Sequence, residues 1–397
     1  MFLALRDLRF ATGRFALMGS VVALISLLLV MLSGLTAGLG GQNTAAIDRL
    51  GEQGVQRLVF GGAAGQEPTA SFTQSEFTVA QRDAWAATDG VASVEPLGVS
   101  QGRAIGLEHP VDTDPQGRAD VSGEPTTGVA TTAFIGLTPD GSDAPAGVEP
   151  GQIVLSQDVA DSLHAQEGDA VAVSGFVYTV ADVVPTEYYS HSPVTWLALE
   201  DWNAISHTAD DAVLGTAGLV RFDAGADVDA VAAAGDDAAG TVAETVKGSY
   251  AALPSYRSEN GSLMTMQGFL YGISALVVIA FLSIWTVQRT RDIAVLKALG
   301  GSNGWVLKDS LAQAAFVLVG GVAVGTGLAA VIGAFAGRAV PFELSWATTA
   351  VPAAGVLVLG MLAAVVAVFR VTRIDLSLIH ISEPTRLSLV SRMPSSA

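Results

Sequence analysis

Cysteine is absent from the 397-residue chain, so disulfides, thiolate nucleophiles and cysteine-based metal sites are excluded. The G-x-x-x-x-G-K-[ST] loop that cradles nucleotide phosphates does not occur, and neither does the H-E-x-x-H pattern of zinc peptidases. The chain is therefore not expected to hydrolyse ATP itself. The sequence predicts no catalytic residue, no metal site and no cofactor in this chain.

Charge is also scarce, at 15% of residues against 50% hydrophobic ones, and four stretches contain none at all. About twenty apolar residues span a hydrocarbon core as a helix, so these stretches predict four membrane helices. The predicted spans are residues 16–39, 267–288, 311–337 and 347–369. A cleaved signal peptide is the rival reading of the first stretch, but its apolar run should be only about 7–15 residues long. Since no span contains Asp, Glu, Lys, Arg or His, no proton relay or ion site is indicated within the membrane.

The remaining charge is unevenly spread along the chain. Residues 40–262 contain 32 acidic and 8 basic residues, whereas the rest of the chain is net positive. Arg6, Arg9 and Arg14 stand in a short amphipathic segment, residues 1–15, suited to the inner leaflet. By the positive-inside rule, the N-terminus is then cytoplasmic and residues 40–262 are extracytoplasmic in a multi-pass protein of the cell membrane. Because phosphate recognition needs basic residues, nucleic acid is not an expected partner.

Residues 40–262 show a mixed helix and strand pattern, which predicts a large α+β domain between the first two spans. Helices are expected at residues 42–51, 78–88, 157–163 and 200–205, and throughout the alanine-rich run 223–246. Strands are expected at 55–60, 91–99, 131–137, 152–155, 170–173, 176–184, 196–199 and 217–222. The Pro-, Gly- and Asp-rich residues 107–127 indicate a loop.

The segment after the second span, residues 289–310, is basic and amphipathic. Ile293, Leu296 and Leu299 recur at helical spacing, while Arg291 and Lys297 face water and headgroups. Gly300 and Gly301 then end the predicted helix. A short cytoplasmic helix between two spans is well placed to contact a soluble partner.

This segment carries a family resemblance. It resembles the corresponding loop of permeases of the MacB/FtsX/LolC type, the membrane subunits of type VII (mechanotransmission) ABC transporters. The matching residues are Arg289-x-Arg291-Asp292-Ile293-Ala294-Val295-Leu296-Lys297-Ala298-Leu299-Gly300-Gly301-Ser302. Asp292 stands where the family usually has Glu, which keeps the charge. The order of one span, a large outer domain and three further spans is similar to the family's topology.

The resemblance implies a function and a set of partners. Two permease copies, identical or different, pair with separate ATPase subunits that bind ATP and Mg²⁺. Their movement is received by Arg289, Arg291, Asp292, Ile293, Leu296, Lys297, Leu299 and Gly300. The work is then done outside the membrane, as export or extraction of a lipid, lipoprotein, peptide or drug. The outer domain is expected to be two-lobed, with a β-rich lobe inserted at about residues 127–199. An FtsX-like signalling permease that controls a cell-wall hydrolase is the alternative, and a membrane-anchored sensor is a third.

Three further sets of residues carry expectations. Tyr188, Tyr189 and His191 cluster in a proline-bounded segment and are candidate contacts for an extracytoplasmic partner. Small-residue steps predict close helix packing at Gly34/Gly38, Gly321/Gly325 and Gly333/Gly337. The tail, residues 376–397, abandons the Ala/Gly bias of the chain and is expected to be non-native.

Overall fold

The computed structural model of the chain describes residues 12–62, 66–139, 141, 143–145, 148–206, 210, 212–288 and 303–372. Residues 1–11, residues 289–302 of the predicted coupling segment 289–310, and the tail 376–397 lie outside the described residues. Residues 303–310 of that segment are described and are helical. The described residues form two compact units. One consists of apolar helices, and the other, here called the outer unit, comprises Gly34–Thr265 and Ala336–Glu343.

The described residues include four helices that are long and apolar enough to cross a membrane. They are α1 (Thr12–Glu52), α6 (Pro254–Gln288), α7 (Asn303–Ala336) and α8 (Trp346–Thr372). The mean hydropathy of their apolar windows is between 2.0 and 2.7. The prediction of four membrane helices with an α+β domain between the first and second is confirmed.

The helix predicted at residues 42–51 is not a separate element. It is the last part of α1, which continues without a break from Thr12 to Glu52. No proline interrupts residues 16–52, and isolated glycines lower helix propensity by only about 1 kcal/mol each. The buried side chains Ala46, Ile47 and Leu50 offset that cost, because they are fully covered by the core of the outer unit.

The outer unit is built on a ten-stranded mixed sheet. Its long third strand, β3, runs from Val91 to Leu107 and pairs with strands on both sides. On one side lie β11 (Ala217–Phe222), β1 (Arg57–Phe60) and β12 (Val242–Thr245), all antiparallel to their neighbours. The strands are β1 (Arg57–Phe60), β2 (Phe77–Thr78), β3, β4 (Thr126–Leu137), β5 (Gln152–Ser156), β6 (Ala170–Val173), β7 (Phe176–Val184), β8 (Tyr188–Tyr189), β9 (Ser192–Ala198), β10 (Val213–Gly215), β11 (Ala217–Phe222) and β12 (Val242–Thr245).

On the other side of β3 the sheet closes on itself. The strands pair in the order β3, β4, β9, β5, β7 and β6, and β6 pairs again with β3 through Ala104↔Val173. The short helices α3 (Gln157–Leu163) and α4 (Leu199–Ile205) pack on this ring, with Val159, Leu163 and Trp202 in its hydrophobic cluster. Helices α2 (Val79–Ala86) and α5 (Val228–Ala239) lie with the β1–β11–β12 side.

Two sequence expectations in the outer unit are corrected. Residues 223–246 are not one helix, because α5 ends at Gly240, which has a left-handed φ of 61°, and β12 then pairs with β1. Strands β3 and β4 are also longer than the expected 91–99 and 131–137. Their antiparallel pairing continues to Leu107↔Thr126, so only the two ends of the predicted loop 107–127 belong to strands.

In the unit of apolar helices, α1, α6, α7 and α8 share one hydrophobic cluster. Val22 and Leu29 of α1 are buried with Val278 of α6, Leu318 of α7 and Val356 of α8. The four helices therefore form a bundle with its own core.

Candidate functional site

The residues that the resemblance assigns to ATPase coupling cannot be placed. Arg289, Arg291, Asp292, Ile293, Leu296, Lys297, Leu299 and Gly300 all lie outside the described residues. The functional geometry that the structure does show is in the outer unit, where the ends of α1 and α6 meet the sheet. These contacts, here called the junction, are formed by Asn43, Ser190, His191, Ser255 and Glu259.

The outer end of α1 is held firmly by the sheet domain. Arg49 forms an ion pair with Glu187 at 3.6 Å, and its guanidinium lies 4.6 Å from the ring centroid of the buried Trp196. Burial raises the pKa of the Glu187 carboxyl, and the Arg49 charge opposes that shift. With Ile47 and Leu50 buried beneath them, these contacts attach the last turns of α1 to the sheet.

A second polar contact ties α1 to the segment before α6. The Tyr250 hydroxyl donates a hydrogen bond to the Asp48 carboxylate, whose other oxygen accepts one from Thr44 Oγ1 at 3.0 Å. Burial raises the pKa of the Tyr250 phenol, and the neighbouring Asp48 carboxylate raises it further. Tyr250 therefore stays protonated and remains a hydrogen-bond donor to α1.

The turn between β8 and β9 reaches the same part of α1. It consists of Ser190 and His191, which have positive φ values of 48° and 63°. A type I′ hairpin turn requires positive φ at both of its central residues and favours glycine or asparagine there. Here the backbone amides of Ser190 and His191 donate to the carbonyls of Asn43 and Gln42, at 3.1 and 2.9 Å. The hydrogen bonds to α1 thus support a backbone conformation that serine and histidine do not favour.

The side chains of the junction connect this turn to both helices. His191 Nε2 lies 2.9 Å from both carboxylate oxygens of Glu259 on α6. Asn43 Nδ2 donates to Glu259 Oε2 at 3.3 Å and to the Leu39 carbonyl at 3.1 Å. Ser255 Oγ donates to Asn43 Oδ1 at 2.7 Å and lies 2.8 Å from Ser190 Oγ. Asn43 is 1% exposed, whereas the side chains of His191 and Glu259 are 31% and 40% exposed.

The structure gives the three sequence-predicted contact residues different roles. Tyr189 is 3% exposed and packs edge-on against Phe72 in the core, so the expectation that it contacts a partner is wrong. Consecutive side chains of a strand alternate between core and surface, so one of the two adjacent tyrosines lies in the core. Tyr188 donates a hydrogen bond to Asp158, which raises the pKa of its phenol to about 12. His191 is half-buried and bound to Glu259 within the chain.

Sequence reasoning missed Asn43, Ser255 and Glu259. Asn43 is more than 200 positions away from Ser255 and Glu259 along the chain, which hid their proximity. A weak signal was present, because each is a polar residue placed just outside a predicted span.

The small-residue steps differ in their surroundings. A Cβ added to Gly321 would lie 2.9 Å from Val22 of α1, and one added to Gly325 would overlap the carbonyl of Ala23. Gly34 and Gly38 face the turn at Pro341 and Phe342 rather than another helix. Gly333 is buried within the chain, whereas Gly337 follows the end of α7 and is exposed, so close helix packing at Gly337 stays a prediction.

Comparison with known proteins shows which proteins the chain is similar to. Residues 264–376 match the family model described as FtsX-like permease C-terminal. Over 377 residues the chain is 20% identical to the putative hemin transport system permease protein HrtB of Staphylococcus epidermidis, covering 94% of this chain and 97% of that protein. It is 28% identical to the protein of the same name from Staphylococcus haemolyticus over 123 residues, or 31% of this chain and 35% of that protein.

Two solved structures are also similar to the chain. The extracellular domain of the noncanonic ABC-type transporter YknZ from Gram-positive bacteria aligns with a TM-score of 0.30 and 14% identity, covering 47% of this chain and 95% of that one. The periplasmic region of MacB from Actinobacillus actinomycetemcomitans aligns with a TM-score of 0.32 and 10% identity, covering 49% of this chain and 89% of that one.

Proposed function

We propose that the chain, which is similar to permeases of the MacB/FtsX type, is the membrane subunit of an ABC transporter whose ATP is hydrolysed by a separate subunit. In this proposal the segment from Arg289 to Gly300 receives the movement of the ATPase on the cytoplasmic side. Two permease copies assemble with two ATPase subunits, which bind ATP and Mg²⁺. The outer domain then performs the work on the other side of the membrane.

The observation that carries this proposal is the anchoring of α1 to the sheet domain. A helix transmits movement over a distance only if its far end is fixed to the body that must move. The outer end of α1 is fixed by the Arg49–Glu187 pair, the Tyr250–Asp48 bond and the junction. Glu259 and Ser255 attach the start of α6 to the same turn. Both helices are therefore suited to move the outer domain.

The cargo is proposed only as a class. Export or extraction of a lipid, lipoprotein, peptide or drug fits work done outside the bilayer, because no span offers an ionisable path. The name of the staphylococcal relatives adds hemin to the compounds that should be tested. Control of a cell-wall hydrolase, without any transported compound, is the alternative outcome of the same movement.

Co-purification tests the ATPase partnership. The full chain is solubilised in detergent and presented to ABC ATPase subunits encoded in the same genome. We expect wild type to retain one of them and Leu296→Asp to lose it, because an aspartate would disrupt the predicted apolar docking side. Ala298→Asp is the matched control. It adds the same charge two residues away, which at 100° per residue is the opposite side of the predicted helix.

The outcomes separate the alternatives. Loss of binding by Leu296→Asp alone supports docking at this segment. Equal binding by all three proteins means that the segment is not the docking site. If wild type retains no ATPase, the transporter proposal fails and a membrane-anchored sensor becomes the better interpretation.

A further inference from the structure

The connection between α7 and α8 packs closely against α1. Glu343 N donates a hydrogen bond to the carbonyl of Gly34 at 3.0 Å. The ring of Phe342 covers Gly34, and the backbone of Pro341 covers Gly38 one helical turn further. These residues all belong to the outer unit, in which Ala336–Glu343 clusters apart from the two helices that it joins. The contact, here called the clip, is formed by Gly34, Gly38, Pro341, Phe342 and Glu343.

Only glycine allows this approach. A Cβ at Gly38 would overlap the carbonyl group of Pro341 and lie 2.8 Å from Phe342 N, and one at Gly34 would overlap the Phe342 ring. Gly41, less than one turn beyond Gly38, has nothing within 4 Å of such a Cβ. The same helix therefore has glycines that the clip requires and a glycine that it does not require.

We propose that Pro341 and Phe342 are positioning residues of the transmission, which keep the α7–α8 connection attached to α1 throughout the ATP cycle. This inference rests on the proposed function. Movement of α7 and α8 is then transmitted through the clip to α1, at the point where α1 enters the outer unit. This adds to the movement transmitted along α1 itself. A contact to the backbone carbonyl and a ring seated against a glycine suit this role, because neither depends on a long, flexible side chain.

The experiment uses the full chain, reconstituted with its ATPase subunit in lipid nanodiscs. Amide hydrogen exchange of residues 40–262 is measured without nucleotide and after trapping with ATP and vanadate. We expect Gly38→Ala to bind the ATPase and hydrolyse ATP, yet to reduce the nucleotide-dependent change in exchange about tenfold, because the overlap with backbone must displace the connection. Gly41→Ala, the matched control on the same helix, should respond like wild type.

A rescue separates the clip from a general loss of stability. Phe342→Ala removes the ring that Gly34→Ala would strike, so the double variant Gly34→Ala/Phe342→Ala should respond more strongly than Gly34→Ala alone. The same Phe342→Ala change should not rescue Gly38→Ala, whose clash is with the Pro341 carbonyl. A merely destabilised outer domain would show neither pattern and would exchange faster even without nucleotide.

The two proposals fail differently. If wild type binds no ATPase, the proposed function fails before the clip is tested. If wild type binds, hydrolyses and responds to ATP, and Gly38→Ala responds equally well, the clip plays no part in transmission and the inference is overturned.

Discussion

Removing the amide of Asn43 tests whether the junction holds α1 in place. Asn43→Ala eliminates the hydrogen bonds from Ser255 and to Glu259 at a residue that is 1% exposed. The Glu259 carboxylate and the Ser255 hydroxyl would each lose a partner. Ser255 and Glu259 keep Ser190 and His191 as partners, so the cost is that of two lost hydrogen bonds at about 1 kcal/mol each, or about 2 kcal/mol in the free energy of unfolding of the outer unit. For a domain of 150–250 residues, this corresponds to a fall of about 4–8 °C in Tm.

The assay is thermal unfolding of the full chain in detergent, combined with amide exchange of the last turns of α1. Gln42→Ala is the matched control, since it shortens the neighbouring side chain and keeps the Gln42 carbonyl that binds His191 N. We expect faster exchange at the end of α1 in Asn43→Ala but not in Gln42→Ala. Equal Tm values for the two variants, with unchanged exchange, would refute the reasoning that the junction fixes α1.

Two further predictions concern the stability of the outer unit. Burial raises the pKa of four carboxyl groups in the folded state, so their protonation favours folding and this contribution is lost as pH rises through the raised pKa values. Tm should therefore rise as the pH is lowered from neutrality toward those values, and an unchanged or lower Tm would contradict the prediction. These groups are Glu95, Glu187, Asp201 and Asp236. Gly235→Ala should lower stability by about 1–3 kcal/mol, although alanine is the better helix former, because its Cβ would lie 2.5 Å from the Trp85 ring. Gly261→Ala, with nothing within 4 Å, is the control, and chemical or thermal unfolding of both variants measures the difference.

The features that the sequence predicted well are those set by local patterns. Uncharged runs identify the four helices because membrane spanning depends on length and composition. Strands such as β6 and β7, and helix α3, match their expected bounds because hydrophobic alternation and turn residues act locally. The capping box formed by Thr78 and Gln81 likewise marks the start of α2 within the sequence itself.

The features that could not be predicted depend on contacts between distant segments. The contacts among Asn43, His191 and Glu259 join three distant parts of the chain, and a single sequence does not show that these residues are close in space. The partner of the Gly34/Gly38 step was equally hidden. A glycine step shows that another segment can approach closely, but it does not say whether that segment is a helix or a turn.

The conformation of the Ser190–His191 turn depends on the contacts that the junction provides. Two consecutive non-glycine residues with positive φ cost of order 1–3 kcal/mol each, and such conformations persist only where surrounding contacts determine them. Those contacts come from α1 through the carbonyls of Gln42 and Asn43, and from α6 through Glu259 and Ser255. If either helix withdrew, the turn would lose its support and its strain would favour detachment. The turn therefore contacts both helices and the sheet, which is the attachment that the proposed transmission of movement requires.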